Sequence, residues 1–329
     1  MRVVAPAAVH WDDVQAFRAD LGHLAGGWRD LGDAAGTRAA GLKRIQIDPG
    51  KWSTPLHRQT AEEEIFFVLA GSGISLQRRR DDVACAVRAG DCIVHRASHE
   101  FHSLRAGPHG LDVLAFGTRA PTEVGQLPRA GVGWLGPTWA DVGGGDAPWQ
   151  REVAAGEPEV PATGERPPNV VNVDDVPGEN EGTWKELGRA GGSELTGLNW
   201  GRLVPGEAGV PHCHSVEEEI YVVLEGDGEL ELWPSPQLER EGRTIESHRI
   251  RAGHVAAFPS GGGIAHTVKA GLEGMTALLY GTRASSDIAY YPRSNKIFFR
   301  GLGLIGRLED LEYDDGEPGW RGPAESPRA

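Results

Sequence analysis

The feature that most constrains this chain is that it is written twice. His57, Glu64 and Gly71 recur as His212, Glu219 and Gly226, each 155 residues later. Upstream, "GLKRIQIDPG" (41–50) answers "GLNWGRLVPG" (197–206) at an offset of 156. Downstream, "RAGDCIVHRASHEFHSLRAG" (88–107) pairs with "RAGHVAAFPSGGGIAHTVKAG" (251–271). "FGTRA" (116–120) matches "YGTRA" (280–284), and "LPRA" (127–130) matches "YPRS" (291–294), both at 164. The landmarks keep their order throughout, so the unit repeated is a whole domain. At 329 residues the chain can bury two separate cores.

Each copy is made of short segments rich in β-branched and aromatic residues and bounded by Gly, Pro or Asp. "GLKRIQID", "EEIFFVLAG", "ISLQRR" and "LDVLAFGT" have the counterparts "GLNWGRLV", "EEIYVVLEG", "ELELW" and "MTALLYGT". With 47 glycines spread along the chain, tight turns are frequent and long helices are poorly served. The texture predicts an all-β protein of two antiparallel sandwiches or barrels with a few short helices. Residues 1–135 are expected to form the first barrel, with a short helical lead-in over 11–30. Residues 136–185, rich in Gly, Pro and acidic residues, read as a linker, and 186–329 as the second barrel with an extension. In that extension, 295–313 carries two strand-like runs expected to pack on a barrel. The end, "RGPAESPRA", is expected to be disordered.

Net charge sets limits on partners. Acidic residues number 47 against 33 basic, a formal charge of −14, which argues against nucleic acid or an anionic membrane surface as partner. The one compact basic run, Arg78–Arg80, reads as a solvated loop. Three cysteines without a CxxC make no disulfide framework, so a reducing compartment is expected. With neither a secretory leader nor an apolar membrane span in view, the expected setting is soluble and cytoplasmic.

The chemistry lies in "HCHSVEEEIYVVLEG" (212–226). On a strand, residues i and i+2 share a face, so His212 and His214 project together. Glu219 lies at the start of the next apolar run, where a turn returns it to the same pocket, and His266 follows 47 residues later. Three imidazoles and a carboxylate suit a divalent transition metal and leave positions open for a substrate.

"PGEAGVPHCHSVEEEIYVVLEGDG" resembles the first signature of the cupin superfamily. Its order is a Gly, five residues, His-x-His, four residues, Glu, six residues, Gly. "GHVAAFPSGGGIAH" resembles the second, with two extra residues before the final His. The duplicated form resembles bicupins, which implies two jelly-roll barrels, each with a metal pocket. The resemblance implies His212, His214, Glu219 and His266 as ligands of one ion (Fe, Mn, Zn or Ni) in the second barrel. In the first barrel His57, Glu64 and His102 fit, but Gln59 stands where the second histidine would be, a neutral and weaker donor. Arg96 and Ser98 replace the Pro and Gly of the second signature, and His95 and His99 compete with His102 for the last ligand position.

Other residues near these motifs have plainer readings. Glu62, Glu63, Glu217 and Glu218 read as solvated bends, Cys213 as an outward small hydrophobe, and Phe66 and Tyr221 as inward core packing. Arg202, whose repeat partner is Gln46, would bind a substrate carboxylate or phosphate if it points inward; an outward, solvated Arg fits equally. The resemblance implies a metal-dependent enzyme on a small molecule in the second barrel, of dioxygenase, decarboxylase or isomerase type. The alternative is a non-catalytic binding or sensor barrel. Duplicated barrels are expected to pair face to face within the chain as a pseudo-dimer, and a homodimer is an open possibility.

Overall fold

The computed structural model describes residues 7–135, 138–141, 147–309, 311, 315 and 316. The chain is mostly β, with strands arranged in two large antiparallel sheets of the same order. In the first, Asp91–His95, Glu64–Arg78, Phe101–Thr118 and Ala40–Ile47 lie side by side, and the hairpin strand Asp82–Arg88 adds to Glu64–Arg78. In the second, His254–Phe258, Glu219–Pro234, Ile264–Thr282 and Thr196–Leu203 follow that order, with Glu246–Arg251 on Glu219–Pro234.

Each long strand bends so that one sheet closes around a core. The ladder slips between Val68 and Ala70 and again between Gly71 and Gly73; the second copy slips between Val223 and Glu225 and between Gly226 and Gly228. Such bulges kink a strand and tighten its twist. Gly71 and Gly226 sit there at φ of 85° and 77°. A Cβ on Gly226 would stand 2.1 Å from the carbonyl oxygen of Gly274, and one on Gly71 2.3 Å from that of Gly110. Only glycine satisfies both the left-handed backbone and the close approach.

The runs "EIFFV" and "EIYVV" are apolar without alternation because both faces of the strand are covered. Phe66 and Val68 face the first barrel's interior with Ile93, Leu104 and Val113. Ile65 and Phe67 face the other way, into a cluster shared with Ile220, Val222, Leu278 and Tyr280 of the second copy. The rings of Phe116 and Tyr280 stack in that cluster with centroids 5.1 Å apart. The two barrels therefore share a dry wall, and each large side chain buried there contributes about 1.5–3 kcal/mol.

Strands are also exchanged. Ala7–His10 pairs with His254–Phe258 in the second sheet, while Val170–Asn172, from between the repeats, pairs with Asp91–His95 in the first. Buried carboxylates add to the joint. Glu63 accepts hydrogen bonds from Ser193 Oγ, Thr196 Oγ1 and the backbone N–H groups of Glu194, Leu195 and Thr196. Glu218 reciprocates, accepting from the N–H groups of Arg38 and Ala39.

Two expectations are corrected. The short helix expected over 11–30 is no more than a 3-10 turn, Trp11–Asp13; the strands Ala16–Leu21 and Leu24–Asp30 form a hairpin. Gly22 turns it with φ of 65°, and Gly26 approaches the backbone of Gln46 too closely for any side chain. The glutamates read as solvated bends are instead buried (Glu63, Glu217 and Glu218) or half-buried (Glu62), since folding turns their backbone neighbours into unpaired donors. The segment 295–313 does supply two strands, Lys296–Phe299 and Leu304–Arg307, in a sheet with Ile288–Tyr291 and Cys213–His214. The tail 321–329 lies outside the described residues. Among the described residues no helix is long and apolar enough to cross a membrane.

Candidate metal centres

Inside the second barrel three imidazoles converge on one carboxylate oxygen. Glu219 Oε2 lies 3.3 Å from His212 Nε2, 3.5 Å from His214 Nε2 and 2.8 Å from His266 Nε2. The backbone arranges this: His212 and His266 exchange two N–H to carbonyl bonds, which seats the His-x-His loop against the strand that carries the last histidine. Glu219 opens its own strand and pairs with both neighbours, Phe258 and Gly281.

Tautomers are fixed from outside the cluster. His212 Nδ1 lies 2.8 Å from the carbonyl of Val210, and a carbonyl only accepts, so the proton sits on Nδ1 and Nε2 keeps its lone pair. His214 Nδ1 is 2.7 Å from Asp287 Oδ2. Asp287 is buried and also accepts from Ser215 Oγ and the N–H groups of Val216 and Glu217. The ring of Tyr291 stacks over His212, centroids 5.8 Å apart.

The electrostatics follow from this crowding. Burial alone would raise the Glu219 pKa, but the imidazoles of His212, His214 and His266 crowded around it hold it well below the usual carboxylate range. Burial opposes charge on His214 too, yet Glu219 and Asp287 together raise it to about 9. Burial and the neighbouring imidazoles push His266 down to about 4 despite its bond to Glu219.

The first barrel repeats the plan with one donor changed. His57 Nε2 and His102 Nε2 lie 3.5 and 3.1 Å from Glu64 Oε2, and His57 Nδ1 donates to the Pro55 carbonyl. Gln59 is on the matching loop, but its Oε1 lies beside Gly125, 3.3 Å from where a Cβ would stand. Glu123, at the repeat position of Asp287, spends its carboxylate on the N–H groups of Thr60, Ala61 and Glu62. Among the competing histidines, His102 faces Glu64, whereas His95 stacks flat on His102 at 3.7 Å and its Nδ1 bonds Glu100. His99 sits at the surface end of that chain, also on Glu100.

Both clusters suit a divalent ion. His57, Glu64 and His102 each offer a ligand atom within 4.8 Å of one another, as do His212, His214 and Glu219. Glu64 Oε2, His102 Nε2 and His214 Nε2 are buried without a hydrogen-bond partner. Buried polar atoms left unpaired are costly, and an ion at the centre of these groups would satisfy them. A third group, His214, Glu217 and Asp287, is already engaged: Glu217 accepts from Ala284 N–H and Arg300.

The remaining candidates lie elsewhere. Arg202 is exposed, as is Gln46 at its repeat position, so neither enters a barrel. Phe66 and Tyr221 are core residues that meet His102 and His266 edge-on. Cys213 is half-buried, and burial pushes its thiol up to about 11, which makes it a poor nucleophile. The reading from sequence missed Asp287 and Tyr291. A carboxylate stands at the same place in both copies, Glu123 and Asp287 at an offset of 164, and that repeat was the available signal.

No protein-family model matches the sequence, and no curated protein matches it. Solved structures do match in shape. The oxalate decarboxylase of Lactobacillus farciminis, in complex with formate, superimposes with a TM-score of 0.60 over 87% of this chain and 88% of its own, at 15% identity. The oxalate decarboxylase of Bacillus subtilis, which has Mn(II) centres, gives a TM-score of 0.60 over 86% of this chain and 79% of its own, at 14% identity. These neighbours are bicupins. Two like-ordered sheets, each closing around a His–Glu cluster, and this overlap along nearly the whole chain give one conclusion about architecture: the protein has the two-barrel, bicupin fold of these neighbours.

Proposed function

We propose that the protein is a metal-dependent bicupin enzyme that acts on a small carboxylate in its second barrel, with decarboxylase-like chemistry. The observation that carries this reading is the convergence of His212, His214 and His266 on Glu219 Oε2, with His214 Nε2 buried and unpartnered. These four residues would hold one divalent ion, and manganese is the ion of the Bacillus subtilis neighbour. The first barrel would hold a second ion more weakly, through His57, Glu64 and His102 alone, since the Gln59 amide oxygen lies beside Gly125. When bound, the ion supplies Lewis acidity towards a substrate oxygen. The chain's own residues do the rest. Val210 and Asp287 orient the His212 and His214 rings, and Tyr291 lies over the outer imidazole where a substrate approaches. The oxalate decarboxylase neighbours support the carboxylate class and favour decarboxylation over dioxygenation or isomerisation.

The test is elemental analysis of tag-free protein beside His212→Ala, followed by an oxalate-consumption and formate-release assay on manganese-loaded protein. One ion per chain that is lost in the variant, with turnover lost alongside it, is the expected result. A second ion, retained by His212→Ala, would place metal at the Gln59 barrel. Absence of metal after reconstitution would overturn the reading, and metal without turnover of any small carboxylate would leave a sensor barrel.

A further inference from the structure

The two barrels differ most at the end where the long hairpin turns. The register aligns Gln77 opposite His102 and Leu232 opposite His266, so these positions are equivalent. Stepping outward, the second barrel is apolar and filled: Leu232, Phe258 and Ile264 pack with Leu238, carried by the short helix Pro236–Arg240. At the matching places the first barrel has Gln77, His95 and Glu100, with exposures of 7%, 3% and 4%, and has Arg79 where the second has Pro234. Here the Arg78–Asp82 hairpin turn is too short to hold a plugging helix.

What results is a cavity of about 380 Å³ lined by Gln77, Arg79, Arg96, His99, Glu100 and the segment Pro167–Asn169, among others. That size lies at the small end of the roughly 300–1,000 Å³ typical of small-molecule sites. Burying an amide, an imidazole and a carboxylate costs free energy that leucine, phenylalanine and isoleucine would not. The second barrel shows that the fold accepts the apolar set, so stability does not account for the polar one.

The charges say what would fit. Glu100, on the cavity wall, is engaged by His95 at 2.7 Å and His99 at 2.8 Å, and Arg79 Nε stands 3.6 Å from it, which leaves the other guanidinium nitrogens of Arg79 for a ligand. The guanidinium groups of Arg79 and Arg96 both turn towards His99, and Arg96 also reaches the exposed Glu194. Asp81 stands at the rim. Two planar cations that meet over one imidazole present the donor forks that bind an oxyanion bidentately.

We propose that this cavity is a binding site for a small oxyanion, carboxylate or phosphate, gripped by Arg79 and Arg96 and separate from both metal centres. His57, Glu64 and His102 are not among its lining residues; the stacked pair His95–His102 lies between.

The experiment is calorimetric titration of the full-length protein with inorganic phosphate and, separately, with malonate, each repeated on Arg79→Gln, Arg96→Gln and Arg80→Gln. Saturable binding by at least one of the two, weakened roughly tenfold or more by either of the first two variants and unchanged by Arg80→Gln, is the expected result. Whichever anion binds tells carboxylate from phosphate, and a rise in Tm with that anion should track its affinity. A His57→Ala/His212→Ala protein separates this site from the metal centres, because binding should survive there. Binding lost in that protein, binding weakened equally by Arg80→Gln, or no saturable binding of either anion would overturn the proposal.

Discussion

At the scale of single residues, the second centre depends on a partner that the ligand motif does not contain. Asp287 is held by three donors besides His214, so its carboxylate cannot swing away, and it fixes which nitrogen of His214 faces inward. Asp287→Asn keeps the size but can present its amide N–H to the ring, which favours the wrong tautomer. We expect metal affinity at the second barrel to fall about 10–100-fold with the fold retained, read by competition against a chromogenic chelator and checked by circular dichroism. An unchanged affinity would show that His214 needs no orientation. That His212, His214 and Glu219 come together was legible from strand periodicity and short spacing, and that His266 joins them from its place in the repeat, where the first copy has His102. Asp287 was not, since 73 residues of chain separate it from His214 and only folding brings them together.

At the scale of elements, the bent strands and their glycines make the barrels. The apolar runs and their boundaries could be read directly, because β-branched and aromatic residues between Gly and Pro mark strands whatever their partners. The lead-in 11–30 misread as helix shows the limit: its glycines matter because a neighbouring strand approaches them, and that neighbour is invisible locally. Gly226→Ala tests the bend. A methyl group 2.1 Å from the Gly274 oxygen, on a backbone at φ of 77°, should cost more than about 2 kcal/mol and lower Tm by several degrees. The same substitution at Gly206, at φ of 76° with nothing within 4 Å, should cost less, which isolates the close approach from the backbone strain.

At the scale of the whole molecule, the two copies are locked by a shared apolar wall, exchanged strands and buried carboxylates. Glu63→Ala would leave the hydroxyls and N–H groups of residues 193–196 without their acceptor, a loss expected at about 3 kcal/mol or more in urea unfolding. A loss under about 0.5 kcal/mol would mean that water replaces the carboxylate and that the joint rests on the wall alone. By itself the sequence determined the repeated order of landmarks, the all-β class and where residue types able to ligate a metal stand, including the difference between Gln59 and His214. Each is written in spacing and residue type, which survive without coordinates. Only the tertiary structure decided that Glu63 and Glu218 are buried clasps rather than solvent-facing bends, that Asp287 stands behind His214, and that one barrel end is hollow while the other is plugged. Those outcomes depend on which distant backbone donors and side chains come to lie against a residue, and burial of that kind is a property of the packed chain.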